Sequence, residues 1–91
     1  MSADERIYVG SKSILAYVTA VVTSLSKSNS VKVMARGRAI SSAVDVVEVT
    51  RRSFLTDIVV DAVDIGTERL GEAGAERNVS TISIQLTKPK V

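Results

Sequence analysis

The sequence predicts an α+β domain, a two-layer α/β sandwich in which two helices cover one face of a four-stranded mixed sheet. Two segments repeat apolar residues at helical spacing, a late segment alternates apolar and polar residues as a strand does, and short apolar runs lie between them. The element order is β-α-β-α-β-β. The early β-α units favour right-handed crossovers between parallel strands, and the last two strands are expected to form an antiparallel hairpin.

The first half of the chain is predicted to hold a strand, a helix and a second strand. The first strand covers 7–9 and ends at Gly10. After the helix, 26–30 is a polar break and 31–35 is a short apolar strand. The helix covers 13–26, because one face of it carries the apolar residues Ile14, Leu15, Val18, Val21, Val22 and Leu25.

The second half is predicted to hold another helix and two strands joined by an arm. The strands cover 57–65 and 79–88, and the second has the clearest alternation. The segment 66–78, GTERLGEAGAERN, has three glycines and no apolar periodicity, so a flexible hairpin arm is expected there. The helix covers 39–53, with an apolar face that includes Ile40, Ala43, Val44, Val47 and Phe54.

The composition indicates one domain over residues 1–91 with an aliphatic core, since apolar residues make up 45% of the chain and aromatic residues 3%. Cysteine and histidine are both absent, which excludes disulfides, thiolate zinc sites and a Ser-His-Asp relay. No metal, cofactor or enzymatic activity is expected. No apolar run approaches the roughly 18 residues of a membrane span, and no signal peptide is recognisable, so an intracellular protein without a membrane partner is expected.

Charge is unevenly distributed along the chain, although the net charge is only +2. Residues 27–52 carry six basic side chains against Asp45 and Glu48. Glu48 and Arg52 have the favourable i,i+4 spacing of a helical ion pair, worth roughly 0.3 kcal/mol. The acidic side chains gather further on, at Asp57, Asp61, Asp64, Glu68, Glu72 and Glu76.

The stretch VMARGRAIS, residues 33–41, places two arginines around a glycine where a strand candidate meets a helix candidate. Gly37 permits a backbone conformation that other residues adopt with difficulty. The pattern by itself leaves two interpretations open: Arg36 and Arg38 are solvated, or they meet a negatively charged partner. The planar guanidinium group suits paired hydrogen bonds to phosphate oxygens.

Three segments resemble the Alba family, small dimeric nucleic-acid-binding proteins known from archaeal chromatin. ARGRAISSAVDVVEVTRRSFL (35–55) resembles the family's signature segment, YVGSKSILAYVTAV (8–21) its opening strand, loop and helix, and VSTISIQL (79–86) its final strand. The resemblance extends from about residue 7 to residue 88. It implies the fold of the C-terminal domain of translation initiation factor three, which has the element order predicted above.

The resemblance also implies a binding surface for double-stranded DNA that reads little sequence and compacts the duplex. Arg36 and Arg38 would contact phosphates from the loop that contains Gly37, which would lie near the two-fold axis of a homodimer. Lys12, in the loop of residues 10–12, would be a third phosphate contact. Such a protein would be cytoplasmic and associated with the chromosome.

Two further sets of contacts are implied by the resemblance. The arms would reach along the minor groove, with Arg69 and Arg77 as the contacting side chains. Phe54 and Leu55 would pack between neighbouring dimers and so build a higher assembly on DNA. For Phe54 the alternative is that it caps the core, as its helical spacing would allow.

The chain departs from the family pattern at three places. Ser11-Lys12 stands where two lysines are common, and Met34 where a lysine is frequent. The arm has three glutamates against Arg69 and Arg77. Binding is therefore expected to be weaker or more salt-sensitive than in a strongly basic relative.

Three other functions are alternatives to the binding of duplex DNA. A metal-dependent nuclease is disfavoured, because a strand would place Asp57 and Asp61 on one face and Asp64 on the other. RNA remains open, since the wider family includes RNA-binding proteins, but one phenylalanine and two tyrosines offer no platform for stacking single-stranded bases. A dimeric interaction protein without nucleic acid also remains open, because the net charge is low and the arm is acidic.

Overall fold

The structure, a computed structural model, describes residues 5–89 and confirms the predicted element order. The strand order in the sheet is β1-β2-β4-β3, with β1 parallel to β2 and β4 antiparallel to both of its neighbours. The α+β class and the mixed four-stranded sheet are confirmed. The elements are β1 (Glu5–Tyr8), α1 (Ile14–Lys27), β2 (Ser30–Arg36), α2 (Ala39–Val49), β3 (Val59–Leu70) and β4 (Arg77–Thr87).

The core lies between the two helices and one face of the sheet. Every second residue of β2 is buried, and these residues are registered with apolar residues of β4. The helices pack against each other and against β2. The buried side chains that carry most of this contact are Val18, Val21 and Leu25 of α1, Val31 and Val33 of β2, Val46 and Val47 of α2, and Ile84 and Leu86 of β4.

The opposite side of the sheet, called the open face below, is covered by no other element of residues 5–89. The strand alternation that buries Val33 and Ile84 turns their neighbours to this side. It is mostly polar. The open face carries Arg6 and Tyr8 of β1, Lys32, Met34 and Arg36 of β2, Thr81, Ser83 and Gln85 of β4, and Asp64, Gly66 and Glu68 of β3.

The second helix ends earlier than predicted and passes into a π-helical turn, Thr50–Phe54. Thr50 is fully buried, and its hydroxyl donates to the carbonyl oxygen of Val46 at 2.8 Å. The Leu55 N–H donates to the carbonyl oxygen of Thr50, five residues back, at 2.8 Å. Because this wider turn shifts the phase of the helical face, Phe54 is 54% exposed while Leu55 packs against the core.

The apolar face of the first helix also differs from the prediction. Leu15 is exposed, whereas Tyr17 is partly buried against the core. The buried stripe is centred on Val18, Val21 and Leu25, and Leu15 lies beyond its edge.

Strands β3 and β4 are longer towards the arm than the sequence predicts. Their pairing continues to Leu70 and Arg77, so most of the predicted arm is a regular two-stranded ribbon closed by residues 71–76. Its apolar periodicity is missing because both of its faces are exposed to water, not because strand structure is absent. Gly71 and Gly74 adopt positive φ angles of 106° and 87° and allow the chain to reverse.

The start of β3 corrects the expected placement of two acidic residues. Asp57 lies in a turn before the strand, and the register shifts between Val60 and Ala62, which leaves Asp61 as the extra residue of a bulge. The prediction that Asp57 and Asp61 share one face of a strand is therefore wrong.

Candidate nucleic-acid interface

Two of the predicted phosphate-binding segments meet at one edge of the sheet. Because β1 and β2 are parallel, both strands end at the same edge, and the loops that follow them lie side by side. The Val9 N–H donates to the carbonyl oxygen of Met34 at 2.8 Å and extends this pairing beyond β1. The edge therefore brings together the loops that carry Lys12 and Arg38.

Tyr17 fixes the loop that carries Lys12. Its hydroxyl oxygen accepts the N–H groups of Gly10 at 2.9 Å and Lys12 at 3.0 Å. Ser13 ends the loop as the N-cap of α1, where its side-chain oxygen accepts from the Ala16 N–H. Sequence reasoning missed this role of Tyr17, because only a hydrogen-bond partner seven residues away in sequence reveals it.

The turn between β2 and α2 is built on Gly37. Its φ of 58° lies in the left-handed region, and its N–H donates to the carbonyl oxygen of Ser80 at 2.8 Å. A Cβ at this position would lie 3.5 Å from Val79, an ordinary contact, so the backbone conformation and not space is what favours glycine. The turn leaves the exposed Arg38 at the N-terminus of α2, where backbone N–H groups also attract anions.

Arg36 and Arg38 are directed to different places. Arg36 is the last residue of β2, and its side chain extends over the open face, where it forms an ion pair with Glu68 at 2.6 Å. Within residues 5–89, neither Arg38 nor Lys12 has an ion-pair partner. Of the three predicted phosphate-binding cations, Lys12 and Arg38 are thus unpaired in this range, whereas Arg36 is paired with Glu68 of the arm.

The arm places Arg69 and Arg77 on opposite faces of its ribbon. Arg69 is registered with Asn78, and Arg77 with Leu70, so that the two side chains belong to successive cross-strand pairs. Arg69 lies 3.6 Å from Glu76, whereas Arg77 has no ion pair in the described part of the chain.

Two other arginines of the basic middle segment lie in the π-helical turn and are paired with Glu48 of α2. Glu48 accepts from Arg51 at 3.0 Å and from Arg52 at 3.3 Å, which confirms the predicted Glu48–Arg52 spacing. The hydrogen bonds from Arg51 and Arg52 lower the pKa of the Glu48 carboxyl below its usual value. These arginines therefore contribute less free positive charge than the sequence suggests.

The acidic residues do not form a metal site within the described range. Residues 5–89 contain no group of three Asp or Glu side chains placed to hold a metal ion. The helices of the same range are also too short or too polar to cross a membrane.

Comparisons with known proteins agree with this architecture. The Alba family model matches residues 5–67. The chain is 51% identical to the "DNA/RNA-binding protein Alba" of Methanothrix thermoacetophila over 89 residues, which is 97% of this chain and 100% of the relative. It is 44% identical to "DNA/RNA-binding protein Alba 1" of Archaeoglobus fulgidus over 87 residues, 94% of this chain and 98% of that protein.

The fold of this chain is also similar to that of a solved Alba structure. Alba from Thermoplasma volcanium superposes with a TM-score of 0.87 at 40% sequence identity, covering 92% of this chain and 100% of that one. By sequence and by fold, this chain belongs to the Alba family.

Proposed function

We propose that this protein binds nucleic acid, and double-stranded DNA foremost, through the sheet edge that carries Lys12 and Arg38. The observation that carries the proposal is the pair of unpaired, exposed cations on two fixed loops at one edge. The names of its relatives, DNA/RNA-binding proteins, support the same ligand class. A binding function of this kind needs no catalytic residue.

The binding energy comes mainly from displaced counterions. A duplex carries one negative charge per ~1.7 Å of its axis, and each neutralised phosphate contributes a log–log salt slope of about −0.9. Arg36 joins Lys12 and Arg38 in this role once a phosphate replaces Glu68 as its partner. The side chains beside these cations, such as Ser11 and Ala39, are too short to read base edges, so the contacts position the duplex without selecting a sequence.

The arm is proposed to follow the minor groove. Because Arg69 and Arg77 lie on opposite faces of the ribbon, an arm in the groove would direct one guanidinium to each wall. The three glutamates of the arm oppose this contact and make it sensitive to salt.

The functional unit is proposed to be a homodimer that uses an apolar strip between α2 and β3. Val63 and Ile65 point to the helix side of the sheet but lie beyond the helices, and they are 54% and 83% exposed. Ile40 lines the same strip, and the exposed Val44 follows one turn later on α2. Leaving these side chains in water costs roughly 25 cal/mol per Å² of apolar surface, which a second copy would remove.

Compaction of DNA is proposed to use Phe54 as a contact between neighbouring dimers. Its exposure at the end of the π-helical turn makes it available to another molecule, whereas Leu55 beside it mainly supports the core. A higher assembly on DNA, and association with the chromosome, would follow from such contacts.

The test is fluorescence-anisotropy binding of matched 24-base-pair double-stranded DNA and RNA across a salt series. The wild type is expected to bind DNA with a steep salt slope, and Arg38→Ala to bind at least tenfold more weakly at low salt while keeping its circular dichroism spectrum. The control is Lys27→Ala, which removes one charge at the far end of α1.

Three outcomes would count against the proposal. Equal losses in Arg38→Ala and Lys27→Ala would mean that net charge, not the loop edge, determines binding. A preference for double-stranded RNA would mean that RNA, not DNA, is the principal ligand. The absence of binding to either duplex at low salt would leave a dimeric interaction protein as the better description.

A further inference from the structure

The open face contains a groove of about 630 Å³ that no proposed duplex contact other than Arg36 uses. Its floor is low because the residues in the middle of the sheet are small. Gly66 is registered with Thr81, and Asp64 with Ser83, so that no large side chain rises from the centre. A Cβ on Gly66 would already lie 3.2 Å from the Thr81 hydroxyl.

Larger side chains border this floor. Tyr8 and Met34 are registered neighbours and form one wall. At the end nearest the arm, the Arg36–Glu68 ion pair spans β4. The result is a cleft with one aromatic wall and short polar side chains on its floor, about as wide as the distance between β2 and β3.

Tyr8 is the feature of the cleft that the core does not explain. It is 66% exposed on an edge strand, and its hydroxyl has no hydrogen bond to the residues that the structure describes. Tyr17, by contrast, uses its hydroxyl to hold the Lys12 loop. Although the three aromatic residues of the sequence predict no stacking platform, the exposed ring of Tyr8 presents one π face on which a single nucleobase can stack.

Positive charge continues from Tyr8 along the outer half of the open face. Arg6 lies two residues before Tyr8 on the same face and is registered with Lys32. Neither has an ion-pair partner between residues 5 and 89. The acidic side chains, Asp64 and Glu68, lie on β3 at the other side of the cleft. The face is therefore polarised, with cations at the β1–β2 side.

We propose that the open face binds a short segment of single-stranded RNA, at a site separate from the duplex-binding edge. Phosphates lie over Arg6 and Lys32, and one base stacks on Tyr8. Ribose 2′-hydroxyls and base edges meet the hydroxyls of Thr81 and Ser83, which is why RNA fits this cleft better than DNA.

Asp64 adds a preference among bases within the same cleft. A carboxylate only accepts hydrogen bonds, so it favours bases with an exocyclic amino group (adenine, cytosine and guanine) over uracil, which has none. The charge pattern and the base chemistry thus give the same orientation of the RNA. Its phosphates lie on the β1–β2 side and its bases point towards β3. This inference does not depend on duplex binding at Lys12 and Arg38.

The test uses a fluorescein-labelled ten-nucleotide RNA of alternating A and C, which forms no duplex. Tyr8→Ala is expected to weaken its binding roughly tenfold, in line with the loss of one stacked base, and Tyr8→Phe to retain it. Both variants are expected to bind double-stranded DNA as the wild type does. Arg38→Ala is expected to show the reverse pattern, with duplex binding weakened and single-strand binding kept.

A second measurement locates the RNA on the unmodified protein. Titration with the same RNA is expected to shift the amide resonances of Thr81 and Ser83 in a ¹⁵N-resolved spectrum. Shifts confined to the Lys12 and Arg38 loops would overturn the proposal, as would unchanged RNA binding by a folded Tyr8→Ala. Equal binding of single-stranded DNA with the same sequence would overturn the assignment to RNA.

Discussion

The Arg36 guanidinium donates to the Glu68 carboxylate at 2.6 Å, although the two residues are 32 positions apart in sequence. Both side chains are about half exposed, so water and salt screen the pair, and its contribution to stability is at most about 1 kcal/mol. The pair matters for the proposed duplex binding. A phosphate that approaches Arg36 must first displace a carboxylate of the protein's own arm.

Replacing Glu68 by glutamine should therefore strengthen duplex binding. The Glu68→Gln variant frees Arg36, so its affinity at low salt should rise, whereas its salt slope should stay near that of the wild type because the complex contains the same phosphate contacts. Anisotropy titrations between low and moderate salt measure both quantities. Glu72→Gln is the matched control, because it removes the same charge from the arm without an ion pair. An equal gain in the control would show that only the net charge of the arm matters.

Removing the Tyr17 hydroxyl should loosen the Lys12 loop. Tyr17→Phe leaves two backbone N–H groups, of Gly10 and Lys12, without their acceptor. We expect weaker duplex binding and a loss of about 1–2 kcal/mol in the free energy of unfolding, since each of the two hydrogen bonds is typically worth about 1 kcal/mol. Urea denaturation and anisotropy report the two effects. The control is Tyr8→Phe, which removes a hydroxyl without such bonds and should change neither the duplex affinity nor the free energy of unfolding. Wild-type affinity in Tyr17→Phe would refute the role of the Lys12 loop in duplex binding.

A charge in the apolar strip should separate the proposed dimer. Ile65→Glu places a carboxylate on the most exposed large apolar side chain of the described residues. Sedimentation equilibrium should then give the mass of one chain, 9.7 kDa, where the wild type gives twice that value. Leu15→Glu makes the same change on an exposed leucine of α1 and should remain dimeric. A dimeric Ile65→Glu would mean that the copies associate through another surface.

Phe54 and Leu55 should have separate effects despite being adjacent. Phe54→Ala should lower the cooperativity of DNA coating but change the free energy of unfolding by less than about 0.5 kcal/mol, as surface substitutions usually do. Leu55→Ala should cost about 1–3 kcal/mol, because Leu55 packs against the core. Electron microscopy of coated DNA measures the effect on coating, and thermal unfolding measures the effect on stability. A destabilised Phe54→Ala with unaltered coating would favour the core-capping role.

Much of the fold was predictable because its burial is periodic. The alternation of Ile82, Ile84 and Leu86 identifies β4, and the helical spacing of Val18, Val21 and Leu25 identifies α1. The element order and the α+β class follow from these patterns. The position of Gly37 between strand and helix likewise predicts the turn that the structure contains.

The remaining features depend on contacts that no local pattern encodes. The Arg36–Glu68 pair requires the register of β2, β4 and β3 together. The π-helical turn depends on the burial of Thr50, which a helical repeat does not reveal. The ribbon of the arm is exposed on both faces, so pairing alone defines its strands.

The course of β4 links the arm to the rest of the molecule. This strand runs from Arg77 in the arm to Leu86 in the core without a glycine or a bulge, and it forms the floor of the cleft on the way. A strand of this kind resists bending at a single point and twists along its length. Movement of the arm, as on the duplex proposed above, is therefore expected to change the twist of the cleft floor as well, so that the two proposed surfaces are mechanically coupled through one strand.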